Sequence, residues 1–505
     1  MVLRLAACPS PGCRPRRGST TPTMAPPSPD DPTVPRPLLA ALAGVVLCLL
    51  LPAPTLAASF RPNVVVVGYA RASAPATARA AAIRTPAGPV TPTRTVRLAP
   101  GVDVRSAAAR LRRRPGVAWA VPDYVAHVAQ APVGPPVPAS LAPLIPNDPG
   151  RTGVAGGWQQ LQWNFAGPFG VNAPQAWANL TAVGRPGGAG VTVAVLDTGV
   201  AYANHGRFRR SPDFTPHQFV RGYDFVDDTP HPDDHNGHGT HIAGTIAEKT
   251  GNGIGLTGLA YGARIMPVRV LDSHGDGDAS TIAAGVIYAV RHHADVINMS
   301  FEFSSDVTAA AIPELTDAIA YAHNRGVIVI GAAGNEGAPE IAYPARARYV
   351  LAVGATTEHG CLSDFSNDGR QLGMVAPGGG ADASTLPADA NCHPQDPAGA
   401  NIYQETFLGS STRVFGFPPG YEGTSMATPH VSAAAALVIA SGVLGPKPSP
   451  EAVIARLKAT ARPLGAPGDG SRYGAGLLDA AAATAPGGPG AVVPAPAVSG
   501  PAPVG

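Results

Sequence analysis

Val193-Ala194-Val195-Leu196-Asp197-Thr198-Gly199-Val200 is an unbroken apolar run that ends on a carboxylate. Residues 191–196 are too few for a helix and show no alternation of apolar and polar side chains. That is the pattern of a strand buried on both faces. It recurs at residues 264–271, 296–299, 327–330 and 349–353, and helical patterns lie between, at 279–292 and 312–324. Doubly buried strands alternating with helices predict an α/β domain. Its core is a doubly wound, mostly parallel sheet with helices on both faces. In such sheets the residues that handle ligands gather at the carboxyl ends of strands, where Asp197 stands.

Three further stretches carry chemistry. His235-Asn236-Gly237-His238-Gly239-Thr240-His241-Ile242-Ala243-Gly244-Thr245 opens an apolar, small-residue helix, and glycines flank His238. Two readings suit it. His238 is a general base oriented by Asp197, or His238 and His241, one turn apart, ligate a metal with Asp234. Gly423-Thr424-Ser425-Met426-Ala427-Thr428-Pro429-His430-Val431 places a Ser at the entry of a long Ala-rich helix, with Pro429 expected in its first turn. A hydroxyl there faces free N–H groups and the positive end of the helix dipole, which favour developing negative charge. Taken alone, that Ser is an ordinary N-cap, and Asp197 is a turn residue. In Ile330-Gly331-Ala332-Ala333-Gly334-Asn335-Glu336-Gly337, an apolar strand ends in small residues and a neutral amide donor.

Together these strings resemble the subtilisin-like serine proteases (subtilases), over about residues 148–479. The order Asp, His, Ser along the chain is known from subtilisin itself. The resemblance implies Ser425 as nucleophile, His238 as general base and Asp197 as its orienting partner. It implies Asn335 and the Ser425 backbone N–H as donors to the oxyanion. It makes Gly275-Asp276-Gly277 and Asn298-Met299-Ser300 flank an extended peptide as added strands, so Gly275, Gly277 and Ser300 are candidate substrate contacts. Ala332, Ala333 and Gly334 become one wall of the pocket for the side chain before the scissile bond. Phe301-Glu302-Phe303 departs from the family's Leu-Gly-Gly and would narrow or charge that pocket. The return from Asn335 to Tyr343-Pro344-Ala345 is also short, and the expectation is a large or apolar residue before the cut.

The loop Asn252-Gly253-Ile254-Gly255-Leu256 alternates side-chain and backbone oxygens, as a hard cation requires; it also reads as a plain Gly-rich turn. The resemblance adds Asp213 and Asp148. The expected ligands of a structural Ca2+ are thus Asp148, Asp213, Asn252, Ile254 and Leu256, and no catalytic metal or organic cofactor is implied. Two competing readings remain: a catalytically dead relative, and a metal-dependent hydrolase at His238 and His241. The first has to explain why all four chemical residues are kept; the second leaves Ser425 and Asn335 without a role.

The rest of the chain frames this domain. The protein has 505 residues and a formal net charge of +2, with no basic stripe that would attract nucleic acid. Residues 1–58 read as a signal region, with Arg36 before the apolar run 37–51 and small residues near Ala57 and Ala58. Met24 is an alternative start, and a buried helix or membrane anchor is the other reading of the run. Residues 59–128 read as a small α+β module. Its Gly116-Val117-Ala118-Trp119-Ala120-Val121-Pro122-Asp123-Tyr124 resembles the family's inhibitor-like propeptide, which implies an intramolecular inhibitor. Residues 129–145 form a Pro/Ala-rich linker open to cutting, residues 146–485 the main domain, and residues 486–505 a disordered tail. Cys361 and Cys392 would remain after export, and one disulfide between them is plausible. The expected protein is a secreted monomer, extracellular or periplasmic, that acts on polypeptides.

Overall fold

The computed structural model describes residues 59–70, 91–128, 146–386, 389–465 and 470–486. The expected signal region and linker, and all but the first residue of the tail, lie outside the described residues. Three antiparallel strands come first: β1 (Phe60–Tyr69), β2 (Thr93–Arg97) and β3 (Val117–Val128). The helix Val104–Arg112 packs Val104, Ala107 and Ala108 onto Val65, Val67 and Ala120. Asp103 caps its start by accepting from Ser106 N at 2.8 Å.

The main domain continues with β4 (Thr192–Asp197), β5 (Tyr223–Asp224), β6 (Arg264–Arg269), β7 (Asp276–Asp278), β8 (Val296–Met299), β9 (Phe301–Phe303), β10 (Ile328–Ala332), β11 (Val350–Thr356) and β12 (Met374–Pro377). Seven of these form one sheet in the order β12-β11-β10-β8-β4-β6-β5, and every neighbouring pair is parallel. The two faces follow from the alternation within β4. Val193 and Val195 join the cluster built on the helices His238–Ala247 and Thr424–Ser441. Ala194 and Leu196 join the cluster of Ala279–Arg291 and Pro313–Asn324. Hence the strand has no polar side to show.

β4 lies between β8 and β6, so the chain winds outward from it in both directions. That leaves a crevice at the carboxyl end of β4, where Asp197 is the last residue. The strand expected over residues 264–271 stops at Arg269. Val270 N and Leu271 N both turn to donate to Asp197 O, at 2.9 and 3.1 Å, and tie the next loop to the same point. Cys361 and Cys392 are joined in a disulfide.

The end of β3 leaves its own module and enters the main domain. It lies antiparallel between β7 and β9: Ala126 faces Gly277 and Phe303, and His127 faces Asp276 and Glu302. Short strands with open edges accept an extended segment through backbone hydrogen bonds, whatever its side chains.

Candidate active site

Asp197 and His238 meet because two backbones approach closely. A Cβ on Gly239 would sit 2.0 Å from Gly199 O, so only glycine lets the His238 helix begin this near the end of β4. His238 Nδ1 lies 2.8 Å from Asp197 Oδ1, and both side chains are fully buried. Asp197 Oδ1 also accepts from Thr198 N at 2.8 Å, which fixes the carboxylate plane. His238 Nε2 has no hydrogen-bond partner, so its free ring nitrogen is available for a proton.

Asp234 is buried alongside, but every contact it makes is structural. It accepts from Thr198 Oγ1, Asn236 N, Gly237 N and Thr240 N at 2.8–3.0 Å, and from the Thr240 hydroxyl. His241 Nε2 lies 3.0 Å from Ile402 O, its ring stacks on Tyr421, and burial drives its pKa down to about 3. With His238 Nδ1 held by Asp197, His241 by a backbone carbonyl and Asp234 by five donors, these three do not form a metal centre.

Ser425 is the second residue of its helix, whose cap, Gly423, has φ 146°. The Ser425 hydroxyl donates to Ser300 O at 2.9 Å. Pro429 is not in the first turn. It lies within the helix, four residues after Ser425. It therefore supplies no N–H to the Ser425 carbonyl, and a proline at that place normally weakens a helix. Here Ser300 Oγ donates to that carbonyl at 3.0 Å. Asn298 Nδ2 donates to Ser300 Oγ at 2.9 Å, and Ser432 Oγ donates to Asn298 Oδ1 at 2.8 Å. A buried relay from the same helix thus closes the gap that Pro429 opens.

Asn335 follows β10 at the far side of the crevice. Its Oδ1 accepts from Thr424 N at 2.8 Å and Thr424 Oγ1 at 3.1 Å, which orients the amide, and its Nδ2 donates to Glu302 Oε1 in a long contact of 3.5 Å. Ala332, Ala333 and Gly334 lead up to it, the first two fully buried. Gly334 has φ 112° and donates from its N to Thr424 Oγ1. Glu302, on β9, reaches across to accept from Asn335 N at 3.1 Å through Oε2. Burial first, then the nearby Glu336 charge, pushes the Glu302 pKa up to about 8.

The Subtilase family model matches residues 188–476. The chain belongs to the subtilase family of serine endopeptidases. It is 38% identical to subtilisin Savinase of Lederbergia lenta over 322 residues, 63% of this chain and 98% of that protein. It is 37% identical to a thermophilic serine proteinase of Bacillus sp. (strain AK1) over 256 residues, 51% of this chain and 54% of that protein. The chain thus spans about half the length of the Bacillus relative. Among solved structures, a protease from Pseudoalteromonas arctica matches with a TM-score of 0.52 and 31% identity, covering 67% of this chain and 98% of that one.

In this subtilase the loop after the His238 helix is tied to its neighbours. Asp148 accepts from Gly251 N and Asn252 N, and Asp213 accepts from Asn252 Nδ2 at 2.7 Å and Leu256 N at 3.0 Å. Ile254 N donates to Asn252 Oδ1, and the Ile254 side chain is exposed. Beneath the loop, Asp213 meets two residues that sequence reasoning missed. Oxygens of Asp213, Glu248 and Glu405 lie within 4.8 Å of one another, all three buried. Both Glu248 oxygens lack partners, and burial with the adjacent charges of Asp213 and Glu405 raises its pKa well above the ordinary range. Three buried carboxylates, with both oxygens of Glu248 orphaned, fit a hard divalent cation, which would supply the missing positive charge. A signal existed for Glu248: it stands directly after the ten buried residues of the His238 helix. No local pattern pairs it with Glu405.

Substrate residues proposed from the sequence also have positions. Gly277 lies in β7 opposite Ala126, Gly275 precedes that strand with φ 87°, and Ser300 links β8 to β9. No helix among the described residues is long and apolar enough to cross a membrane.

Proposed function

We propose that this subtilase is an exported endopeptidase, made as a zymogen, that cleaves polypeptides through Ser425, His238 and Asp197. The observation that carries the reading is the buried Asp197–His238 pair with His238 Nε2 left unpartnered beside the Ser425 helix. In the reaction the Ser425 hydroxyl rotates from Ser300 O to His238 Nε2. His238 takes the proton as Ser425 Oγ bonds to the substrate carbonyl carbon. The oxyanion is held by Asn335 Nδ2 and the Ser425 N–H, which lies in the first helical turn and so has no intrahelical acceptor. His238 then gives its proton to the leaving amine as the C–N bond breaks. Water, activated by the same imidazole, hydrolyses the acyl-enzyme.

The substrate lies where β3 lies, as a strand between β7 and β9. In the zymogen the N-terminal module therefore inhibits by occupancy, and cutting within the linker 129–145 releases it. The apolar run 37–51 directs export. A structural Ca2+ held by Asp213, Glu248 and Glu405, beneath the loop that Asp148 and Asn252 brace, neutralises the buried carboxylates. It takes no part in the chemistry.

Purified wild type and Ser425→Ala test the reading. Wild type is expected to hydrolyse casein and to lose the module, seen by intact mass. The alanine variant is expected to do neither. Casein hydrolysis by the variant, or self-processing of the purified variant, would overturn the Ser mechanism.

A further inference from the structure

We infer that Glu302 restricts the substrate residue immediately before the scissile bond to small side chains, because its carboxyl group occupies the space that residue would enter. This rests on the peptidase reading of the crevice. The register fixes the position. His127 lies opposite Glu302 and Val128 opposite Phe301. A peptide in the place of β3, continued by one residue, faces Ser300, whose carbonyl accepts from Ser425 Oγ at 2.9 Å. That next residue is the one at the nucleophile.

Residues two apart on a strand share a face, and directly opposed residues of an antiparallel pair lie on the same face. The side chain before the cut therefore projects on the Glu302 side. Phe301 and Phe303 project to the other side and are fully buried in the core, so their bulk does not enter the pocket. Glu302 alone does. Its carboxylate crosses from β9 to the opposite wall, where Asn335 N donates to it at 3.1 and 3.3 Å and Asn335 Nδ2 donates to Oε1 at 3.5 Å. Oε2 comes so close that a Cβ on Gly334 would lie 2.5 Å away. On the module side, His127 Nε2 lies 3.9 Å from Oε1. Glu302 is 3% exposed with the module strand over it, and its carboxyl group spans the distance from β9 to the Asn335 wall. The sequence departure led to an expected large or apolar residue; the position of the carboxyl group reverses that. The module's own sequence agrees, since Val128 is followed by Ala129.

The test uses the processed enzyme and quenched peptides that differ only at the residue before the cut: Ala, Ser, Leu, Phe, Lys or Arg. Wild type is expected to favour Ala over Phe and Leu by about tenfold or more in kcat/KM. Glu302→Gln, equal in size, is expected to keep that order. Glu302→Gly is expected to raise Phe and Leu relative to Ala by about tenfold or more; Glu302→Ala serves in its place if the glycine variant does not fold. A wild-type preference for Leu, Phe, Lys or Arg, or an unchanged Phe-to-Ala ratio in the opened variants, overturns the inference while leaving the peptidase reading intact. Failure of wild type to cut any of the peptides, or casein, overturns both.

Discussion

Asp123 should make the grip of the N-terminal module depend on pH, and the structure sets the sign and the size. It lies in the middle of β3, 1% exposed, where Ser280 N and Ser280 Oγ donate to it at 3.4 Å. Asp278, the cap of the same helix, is beside it, paired to Arg61 of the module at 2.8 Å. Glu314, buried on the next helix, also faces this point. Burial, and after it the Asp278 charge, push the Asp123 pKa up to about 7. In a released module the group returns to the ordinary value near 3.9. A raised pKa in the bound state means that binding takes up a proton. The contribution is therefore complete below about pH 4 and is lost as the pH rises to about 7. Each unit in that window weakens association by about tenfold, about 1.4 kcal/mol. From about pH 5 to pH 7 the limit for this one group is about 100-fold in Kd. Burial also raises Glu314, to about 8, so any share of its burial due to the module extends the loss upward. Processed enzyme with its cut module still bound can be followed by the concentration at which the module dissociates at each pH. Asp123→Asn should flatten most of the dependence between pH 5 and 7. Equal slopes in the two proteins, or tighter binding at high pH, would refute the reasoning.

Three other outcomes are expected. Asn335→Ala should lower kcat by about 10^2–10^3 with little change in KM, the loss known for such a donor in subtilisin itself; an unchanged kcat would remove the amide from the oxyanion site. Ser300→Ala should leave the Ser425 carbonyl without its donor and cost about 1–3 kcal/mol of stability, read as a melting temperature several degrees lower. No shift would mean that Pro429 is accommodated in another way. Chelation should lower the melting temperature of wild type and have a smaller effect on Glu248→Gln, in which one buried charge is gone; an equal fall in both would place the cation elsewhere.

The strands and their doubly buried character are legible because β4 is apolar at every position from Val193 to Leu196, and two-sided burial leaves no other pattern. Which side chains meet was less legible. The amide of Asn335 could be singled out from its place after a strand of small residues, but its orientation depends on Thr424, far along the chain. Pro429 was expected in the first turn because that is where proline costs least. Its actual place is tolerated through Ser300, a contact between segments over 100 residues apart. Glu248 and Glu405 are illegible in the sequence for the same reason: a buried charge cluster is assembled by the fold and leaves no spacing in the sequence. Glu302 is legible as a departure from the family pattern, but the direction of its side chain is not. That depends on strand alternation set by the partner strand.

The strand of the module that lies between β7 and β9 also determines how activity would appear in time. On the zymogen reading, while the linker is intact the blocking segment is present at an effective concentration fixed by the tether. It does not change when the protein is diluted. Once the linker is cut, the same contacts become an ordinary bimolecular equilibrium. Inhibition would then fall as the processed protein is diluted, and dilution itself would become the signal that frees the groove.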